Sequence, residues 1–501
     1  MNTVEELTQI NAELREENLS QQQRIRLLEE MLITSRQQRF GTSSEKHSPQ
    51  QALFNEAEVM VLDLDEASSE STIDVPAHTR QRKKRVSIPE TIEREEIVYD
   101  LPESEKQCPH DGTPLKCMGE ETHEQLDLIP AQIKALRHIR KKYACPCCKE
   151  YLVTAKKPKQ AIEKSIASSG LLAHIAVSKY ADGLPLYRQA AMFKRLGIEL
   201  DKTSLANWMI KCGDLLQPVF NCLQDRLLEA AVIHMDETPV QVLNEPGKSA
   251  QSQSYMWVVA SQAHHHPMVL YHYSPSRSQV TPNTLLADYQ GALMVDGYSG
   301  YNGVSAKPDV TRLGCWAHAR RKFVEAKKVQ PTKKTGKADK ALAEIQKLYR
   351  IEQQCKRLPP DERQRLRQEK AKPIIDKLRL WLVKSIPQVP PQGAIGKALT
   401  YLNNQWPHLV HYLDNGDYPI DNNRAENAIR PFVVGRKNWL FSTSQAGARA
   451  SANLYSLIET AKANGLNPYD YLKTVFTELP NVTRVDDVEV LLPWNVKDVV
   501  R

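Results

Sequence analysis

The chain is poor in the features that mark several large protein classes. No stretch of its 501 residues approaches 18 consecutive apolar residues, which argues against a membrane-spanning helix. Nine cysteines, an odd number, are too few for a disulfide scaffold, so a reducing cytoplasm is the expected compartment. The opening MNTVEELTQINAELREEN is acidic and polar, unlike a secretory signal, which fits that expectation. No G-x-x-x-x-G-K-S/T loop is present, so nothing points to a nucleotide-driven activity. Neither sign of charge dominates: 67 Lys and Arg against 60 Asp and Glu leave +7, which permits a nucleic-acid partner without demanding one.

What is present divides into segments, at a length suited to about three domains. Residues 1–40 read as a coiled coil. Val4, Asn11, Asn18, Ile25 and Leu32 fall at position a, and Leu7, Leu14, Gln21 and Leu28 at d. Asn at a specifies parallel, in-register pairing, so a homo-oligomer is expected, with an amphipathic helix docked on its own chain as the other reading. Residues 41–90 form a Ser-, Glu- and Pro-rich linker ending in the basic run Arg80 to Arg85, either a DNA-phosphate contact or a solvated tether. Residues 91–155 hold a cysteine module. Residues 156–228 are helical, with a Gly-containing turn at Leu196-Gly197 that suits a helix-turn-helix or an ordinary helical subdomain. There Asp201 or Thr203 is expected to cap a helix beginning near Ser204.

Periodicity changes near residue 230. AAVIHMDETPVQV, SYMWVVAS and PMVLYHYS read as adjacent strands, GALMVDGYSGY as another, and VTRLGCWAH leads into a basic helix. A helical insertion of about 325–413, broken by Pro359-Pro360 and by Pro387, Pro390 and Pro391, precedes DNNRAENAIRPFVVGRKNWLF. The pattern predicts an α/β sheet domain over residues 229–462, with 463–501 beyond it.

Two constellations carry chemistry. Cys145 and Cys148 form a C-x-x-C pair, and Cys108 with His110 or Asp111 supplies the other half of a tetrahedral Zn²⁺ site, Cys117 being a spare donor. A metal-free fold with inert cysteines is the alternative. Asp236 and Asp296 each end an apolar strand, and Glu426 lies on a helix whose start is prepared by Asp421 or Asn422. Carboxylates converging from rigid elements are what two-metal phosphodiester chemistry needs, although a lone Asp after a strand is more often a turn residue. Glu237 and Asp421 are rival ligands by proximity.

HMDETPV, MVDGYSGYN, GCWAHARRKF and DNNRAENAIRPFVVGRKNWLF resemble the catalytic segments of the insertion sequence 66 family of DDE transposases. FGTSSEK, CPHDGTPL with YACPCC, SKYADGLPLYRQ and ETAKANGLNPYDYL resemble its other segments, so the likeness runs from about residue 25 to 475. The resemblance implies a multidomain α/β protein. Its RNase H-like catalytic domain would carry a helical insertion and follow an N-terminal coiled coil, a small zinc-binding module and a helical DNA-binding region. It implies a bacterial, nucleoid-associated transposase that cleaves element ends and joins them to target DNA, with homo-oligomers and small accessory proteins as partners. Asp236, Asp296 and Glu426 would hold two Mg²⁺ ions, or Mn²⁺ in their place, and Zn²⁺ would be structural. His318, within Cys315-Trp316-Ala317-His318, would orient DNA or share a structural role with Cys315, while Arg424, Arg430, Arg436 and Lys437 would meet phosphates. Many relatives have Cys at the place of Asp111, a departure that bears on the fourth zinc ligand. A catalytically silent DNA-binding protein of the same architecture, and a nuclease that cuts without joining, are the competing readings.

Overall fold

In the computed structural model of the protein, the described residues are 2–40, 132–144, 152–262, 266–329 and 335–496, with residues 95, 114 and 125 singly. The chain divides into two units, residues 70–155 and the remainder. In the smaller unit, strands β1 (Lys142–Ala144) and β2 (Leu152–Thr154) pair antiparallel, Tyr143 opposite Val153. Arg140 Nε donates to Ala155 O at 2.6 Å and closes the open end of this hairpin. Cys108, His110, Asp111, Cys117, Cys145 and Cys148, the expected zinc donors, lie outside the described residues, as do the linker and its basic run.

In the larger unit, α1 is one helix, Asn2–Phe40. Leu14, Ile25, Leu28 and Leu32 of its expected seam are each more than half exposed. Helices α2 (Ser169–Tyr180), α3 (Leu186–Arg195), α4 (Lys202–Leu215) and α5 (Gln217–Leu228) follow. Gly197 turns the chain between α3 and α4 with φ +84°, a left-handed conformation that suits glycine. Asp201 is the cap of α4: its Oδ2 accepts from the Thr203 N–H at 2.9 Å, so the helix opens two residues before Ser204.

A six-stranded sheet comes next, from β3 (Val232–Asn244), β4 (Gln253–Ser261), β5 (Val269–Ser274), β6 (Gly291–Val295), β7 (Val310–Gly314) and β8 (Ser442–Ser444), with the short helix α6 (Val280–Leu285) between β5 and β6. The order is β5-β4-β3-β6-β7, with β8 also on β3. β4 is antiparallel to both β5 and β3, while β3, β6 and β7 run parallel. Strand alternation sorts the side chains. Ile233, Met235, Leu293 and Val295 join the main core, whereas Val232, Ala292 and Met294 form a smaller cluster with Leu313 and Cys315 on the other face.

From β7 the chain enters helices α7 (Trp316–Lys328), α8 (Lys337–Cys355), α9 (Pro360–Leu366), α10 (Lys372–Ser385) and α11 (Ala394–Leu409). They share a core of their own in which Trp316, Phe323, Leu348, Leu378 and Leu402 are fully buried. Trp316 Nε1 donates to Leu409 O at 2.9 Å, tying the first helix of this group to the last. Pro360 occupies the first turn of α9, where its missing N–H costs nothing.

The chain then returns to the sheet through α12 (Asn423–Trp439), β8, α13 (Gln445–Ala463), α14 (Pro468–Glu478) and α15 (Val485–Glu489). Helix α13 covers the edge strand β5 with two polar side chains one turn apart. Ser456 Oγ accepts from Tyr271 N–H at 2.7 Å, and Thr460 Oγ1 accepts from Val269 N–H at 3.1 Å while donating to Val269 O at 3.0 Å. The free edge is thereby satisfied and closed to further strands. Among the described residues, no helix is long and apolar enough to cross a membrane.

Candidate active site

β3 begins as a strand buried on both faces, which its run VIHM predicts for a sheet interior, and Asp236 is the first carboxylate after that run. β6 repeats the device, Ala292 to Val295 ending in Asp296. The parallel register sets His234 beside Met294, so two residues further on Asp236 and Asp296 lie level on neighbouring strands. By the same alternation both belong to the face that carries Val232 and Met294. Each is tied to the backbone that follows it: Asp236 Oδ1 accepts from Glu237 N–H and Asp296 Oδ1 from Tyr298 N–H, both at 2.9 Å.

β6 pairs with β3 as far as His234, and β8 pairs with it only from Val242. The stretch between is where α12 starts. Asn422 Nδ2 donates to Met235 O at 2.9 Å, and its Oδ1 lies 3.0 Å from His234 Nδ1. Burial pushes His234 down to about 4, so it stays neutral, and its Nε2 lies 2.7 Å from Gln262 Oε1. The capping role falls to Asp421, whose Oδ1 accepts from Asn423 N–H at 3.1 Å. Glu426 follows one turn into α12 with its side chain 3% exposed, and its N–H bonds Asn422 O at 3.1 Å. Replacing Asn422 by Ala leaves Met235 O and His234 Nδ1 unmet inside the protein. Unfolding in urea should show a loss of about 1–3 kcal/mol.

The acids interact. Burial first, and then the charges of Glu237, Asp296 and Glu426, hold the Asp236 carboxyl well above the usual carboxylate range. Glu426 Oε2 receives Arg321 Nη2 at 3.3 Å, while its Oε1 is buried without a hydrogen-bond partner, 3.5 Å from an equally unpartnered His318 Nδ1. Crowded like charges and an unmet carboxylate oxygen fit a divalent cation with hard oxygen ligands. Among the described residues, the metal-capable group drawn within 4.8 Å is Cys315, His318 and Glu426, which includes one of the three acids and leaves Asp236 and Asp296 outside it.

The rival acids are engaged elsewhere. Glu237 belongs to the opposite face of β3, where Arg277 Nε and Nη2 donate to its Oε1 at 2.8 and 2.5 Å and the Tyr301 hydroxyl bonds Oε2. Asp421 Oδ2 accepts from the Tyr349 hydroxyl at 3.0 Å. Of the expected phosphate contacts, Arg436 is spent on β3, donating to Thr238 Oγ1 at 3.1 Å and to Pro239 O. Arg430 Nη2 donates to Asn427 Oδ1 at 2.7 Å, burial lowers the pKa of Arg424, and Lys437 is exposed.

Two contributors escaped the sequence reading. Arg312 of β7 is buried, and its Nη2 donates to Asp296 O at 2.8 Å and Tyr298 O at 3.3 Å, while Nη1 reaches Asn302 Oδ1 at 2.7 Å. It holds the loop that follows Asp296; a single Arg inside the run VTRLG was the signal for it. The Arg277 guanidinium lies 4.0 Å over the Tyr298 ring, closing the Glu237 side of the same loop.

Residues 164–450 match the family model described as Transposase IS66 family, which covers the helices before the sheet, the sheet itself and α12. The chain belongs to the IS66 transposase family. Models for other parts of IS66 proteins agree: the zinc-finger binding domain of transposase IS66 over residues 105–149, the IS66 C-terminal element over 456–494, and Transposase C of IS166 homeodomain over 27–97. This IS66 chain is 32% identical over 457 residues to the uncharacterized protein y4qI of Sinorhizobium fredii, covering 89% of this chain and 83% of that one. It is 33% identical over 422 residues to y4jD of the same organism, covering 82% and 81%. No solved structure matches it.

Proposed function

We propose that this IS66 protein is a DNA transposase that cleaves element ends and joins them to target DNA by metal-dependent phosphodiester transesterification. The observation that carries the proposal is the level placement of Asp236 and Asp296 at the ends of neighbouring strands, with Glu426 on the helix that starts against β3. Three antiparallel strands continued by two parallel ones, with the acids at the strand ends and on the returning helix, support the RNase H-like reading. On that reading the residues from about 325 to 413 are the helical insertion of the domain.

Asp236, Asp296 and Glu426 would hold Mg²⁺ or Mn²⁺. Such ions, when bound, would supply a nucleophile activated at neutral pH and charge stabilisation on the leaving oxygen. The protein's own share is positional. Asn422 fixes Glu426 beside β3, Arg312 fixes the loop after Asp296, and Arg321 steadies one oxygen of Glu426. Arg424, Arg430, Arg436, Lys437 and His318 are the proposed DNA contacts. Water is the nucleophile that cleaves the end, and the freed 3′-hydroxyl is the nucleophile that joins it to target.

The zinc-finger segment supports a structural Zn²⁺, for which Cys108, Cys145, Cys148 and either His110 or Asp111 are the proposed ligands. α1 is the proposed oligomerisation element, because a lone helix leaves Leu14, Ile25, Leu28 and Leu32 in water. Deleting residues 1–35 should lower the particle mass measured by light scattering and impair paired-end assembly more than single-end binding. An unchanged mass would place the interface elsewhere. A partner of chromosomal DNA would locate the protein at the nucleoid.

The decisive assay incubates the full chain and Mg²⁺ with DNA carrying its element ends, and separately with pre-cleaved ends and a plasmid target. Joined product supports the transposase; cutting without joining makes it a nuclease; binding with neither makes it a silent DNA-binding protein.

A further inference from the structure

Cys315 and His318 stand at the start of α7, Cys315 as the residue before its first turn and His318 three positions on, a spacing that puts both side chains on one side of the helix. Glu426 reaches the same place from the first turn of α12. Cys315 is 2% exposed, and one donor atom from each of the three lies within 4.8 Å of the others. Two of these atoms, His318 Nδ1 and Glu426 Oε1, are buried and have no hydrogen-bond partner. The third, Cys315 Sγ, accepts the Asn422 N–H at 3.2 Å. A backbone N–H aimed at sulfur steadies a thiolate as an outer partner of a metal ligand does.

We propose that Cys315, His318 and Glu426 form a binding site for a thiophilic divalent cation of the Zn²⁺ class, and that filling it withdraws Glu426 from Asp236 and Asp296. One sulfur, one imidazole nitrogen and one carboxylate oxygen match zinc and its congeners, whereas Mg²⁺ takes oxygen alone. Tetrahedral bonds of about 2.0–2.3 Å place ligand atoms roughly 3.3–3.8 Å apart, so the group closes by about 1 Å, within reach of small χ rotations. On binding, the Cys315 S–H bond breaks, its proton passes to solvent and the sulfur electron pair goes to the cation. His318 gives its Nδ1 lone pair with the ring proton on Nε2. Solvent fills the fourth position on the side where the His318 side chain is 21% exposed. Glu426 Oε2 is held by Arg321 Nη2 at 3.3 Å, so a cation on Oε1 takes the one oxygen left for Mg²⁺, and the two sites exclude each other. That second half rests on the proposed Mg²⁺ role of the acids; the Zn²⁺ site does not.

The test uses the full chain. Equilibrium dialysis against Zn²⁺ with metal analysis should find one equivalent fewer per chain in Cys315→Ala and in His318→Gln than in the unaltered protein, whatever the zinc-finger segment holds. His318→Gln guards against a folding defect from the buried cysteine, and far-UV circular dichroism confirms both variants as folded. Titration with Co²⁺ should give a thiolate charge-transfer band that loses intensity in Cys315→Ala. Equal zinc counts in all three proteins overturn the site. In an end-cleavage assay at fixed Mg²⁺, the Zn²⁺ concentration for half-inhibition should rise at least tenfold in Cys315→Ala, which lies outside the proposed DNA contacts. An unshifted value overturns the exclusion of one site by the other. Absence of cleavage in every sample, with the zinc count still falling in the variants, would remove the transposase reading and leave the site standing.

Discussion

Asp236→Asn should leave element ends uncut while making the folded protein harder to melt at neutral pH in a chelating buffer. On the metal-holding role proposed for Asp236, its loss removes several kcal/mol of charge stabilisation from the reaction, and at 1.36 kcal/mol per tenfold the rate should fall by roughly a thousandfold or more. Stability moves the other way. Burial and the neighbouring Glu237, Asp296 and Glu426 raise the Asp236 carboxyl well above the ordinary value of 3.8. A group raised on folding contributes stability that is fully present below its unfolded pKa and is lost as pH rises through its folded pKa. At pH 7 the native chain must either hold this carboxylate charged in an unfavourable place or take up a proton to fold, a cost that Asn does not bear. Below about pH 4 the carboxyl is protonated in both states and the advantage of Asn disappears. Thermal melts of both proteins with EDTA at pH 7 and near pH 4 test the sign. Equal melting temperatures at pH 7 would mean that Asp236 sits in a solvated place and not among like charges. Full-strength DNA binding by the variant in a gel shift would separate loss of chemistry from loss of recognition.

The positions of the two aspartates were legible because each ends an apolar run, broken in the first only by His234, and such runs read as interior strands wherever they stand. Strands β3, β4 and β5 announced themselves through Val, Ile and Tyr in the same way. The start of α12 was legible from Asp421 and Asn422, but their division of labour was not. One caps the helix and the other crosses to β3, a choice made by which backbone carbonyl lies opposite. α12 also continues through Pro431 to Trp439, where local preference argues for a break. Tyr271 of β5, buried beneath it, bonds Ala428 O and packs against Phe432, so tertiary contact overrides the local cost. Arg312, the approach of Cys315 to Glu426 and the addition of β8 to β3 all depend on contacts between residues far apart in the chain, which periodicity does not encode.

Arg367 illustrates the same illegibility with the largest stability effect. It lies in a π-helical turn, Arg367–Ala371, between α9 and α10 and is 2% exposed. Its Nε and Nη2 donate to the two oxygens of Glu352 at 2.8 and 2.6 Å, and its Nη1 donates to Tyr412 O at 2.8 Å and Asn415 O at 2.9 Å. Gln368 Nε2 to Leu413 O at 2.9 Å and Arg363 Nη1 to Gly416 O at 2.8 Å extend the row, so successive turns of one helix bind a single loop. Gly416 lets that loop lie against α9, since a Cβ there would come 1.8 Å from Pro360 O. The loop leads directly into Asp421 and Asn422, so a helix far from the acids sets where Glu426 begins its turn. Glu352→Leu strands a buried guanidinium and should cost about 3–5 kcal/mol, and Arg367→Met should cost a similar amount. If the charge pair were the whole interaction, combining the two would restore stability, because replacing both members of a buried pair is often neutral. Here Tyr412 O loses its donor, while Asn415 O keeps the Tyr418 N–H at 3.2 Å, so the double variant should remain roughly 1–3 kcal/mol below the native chain. Urea unfolding followed by tryptophan fluorescence measures all four proteins. Complete recovery in the double variant would show that the carbonyl contacts contribute nothing, and that the loop is held by its other bonds.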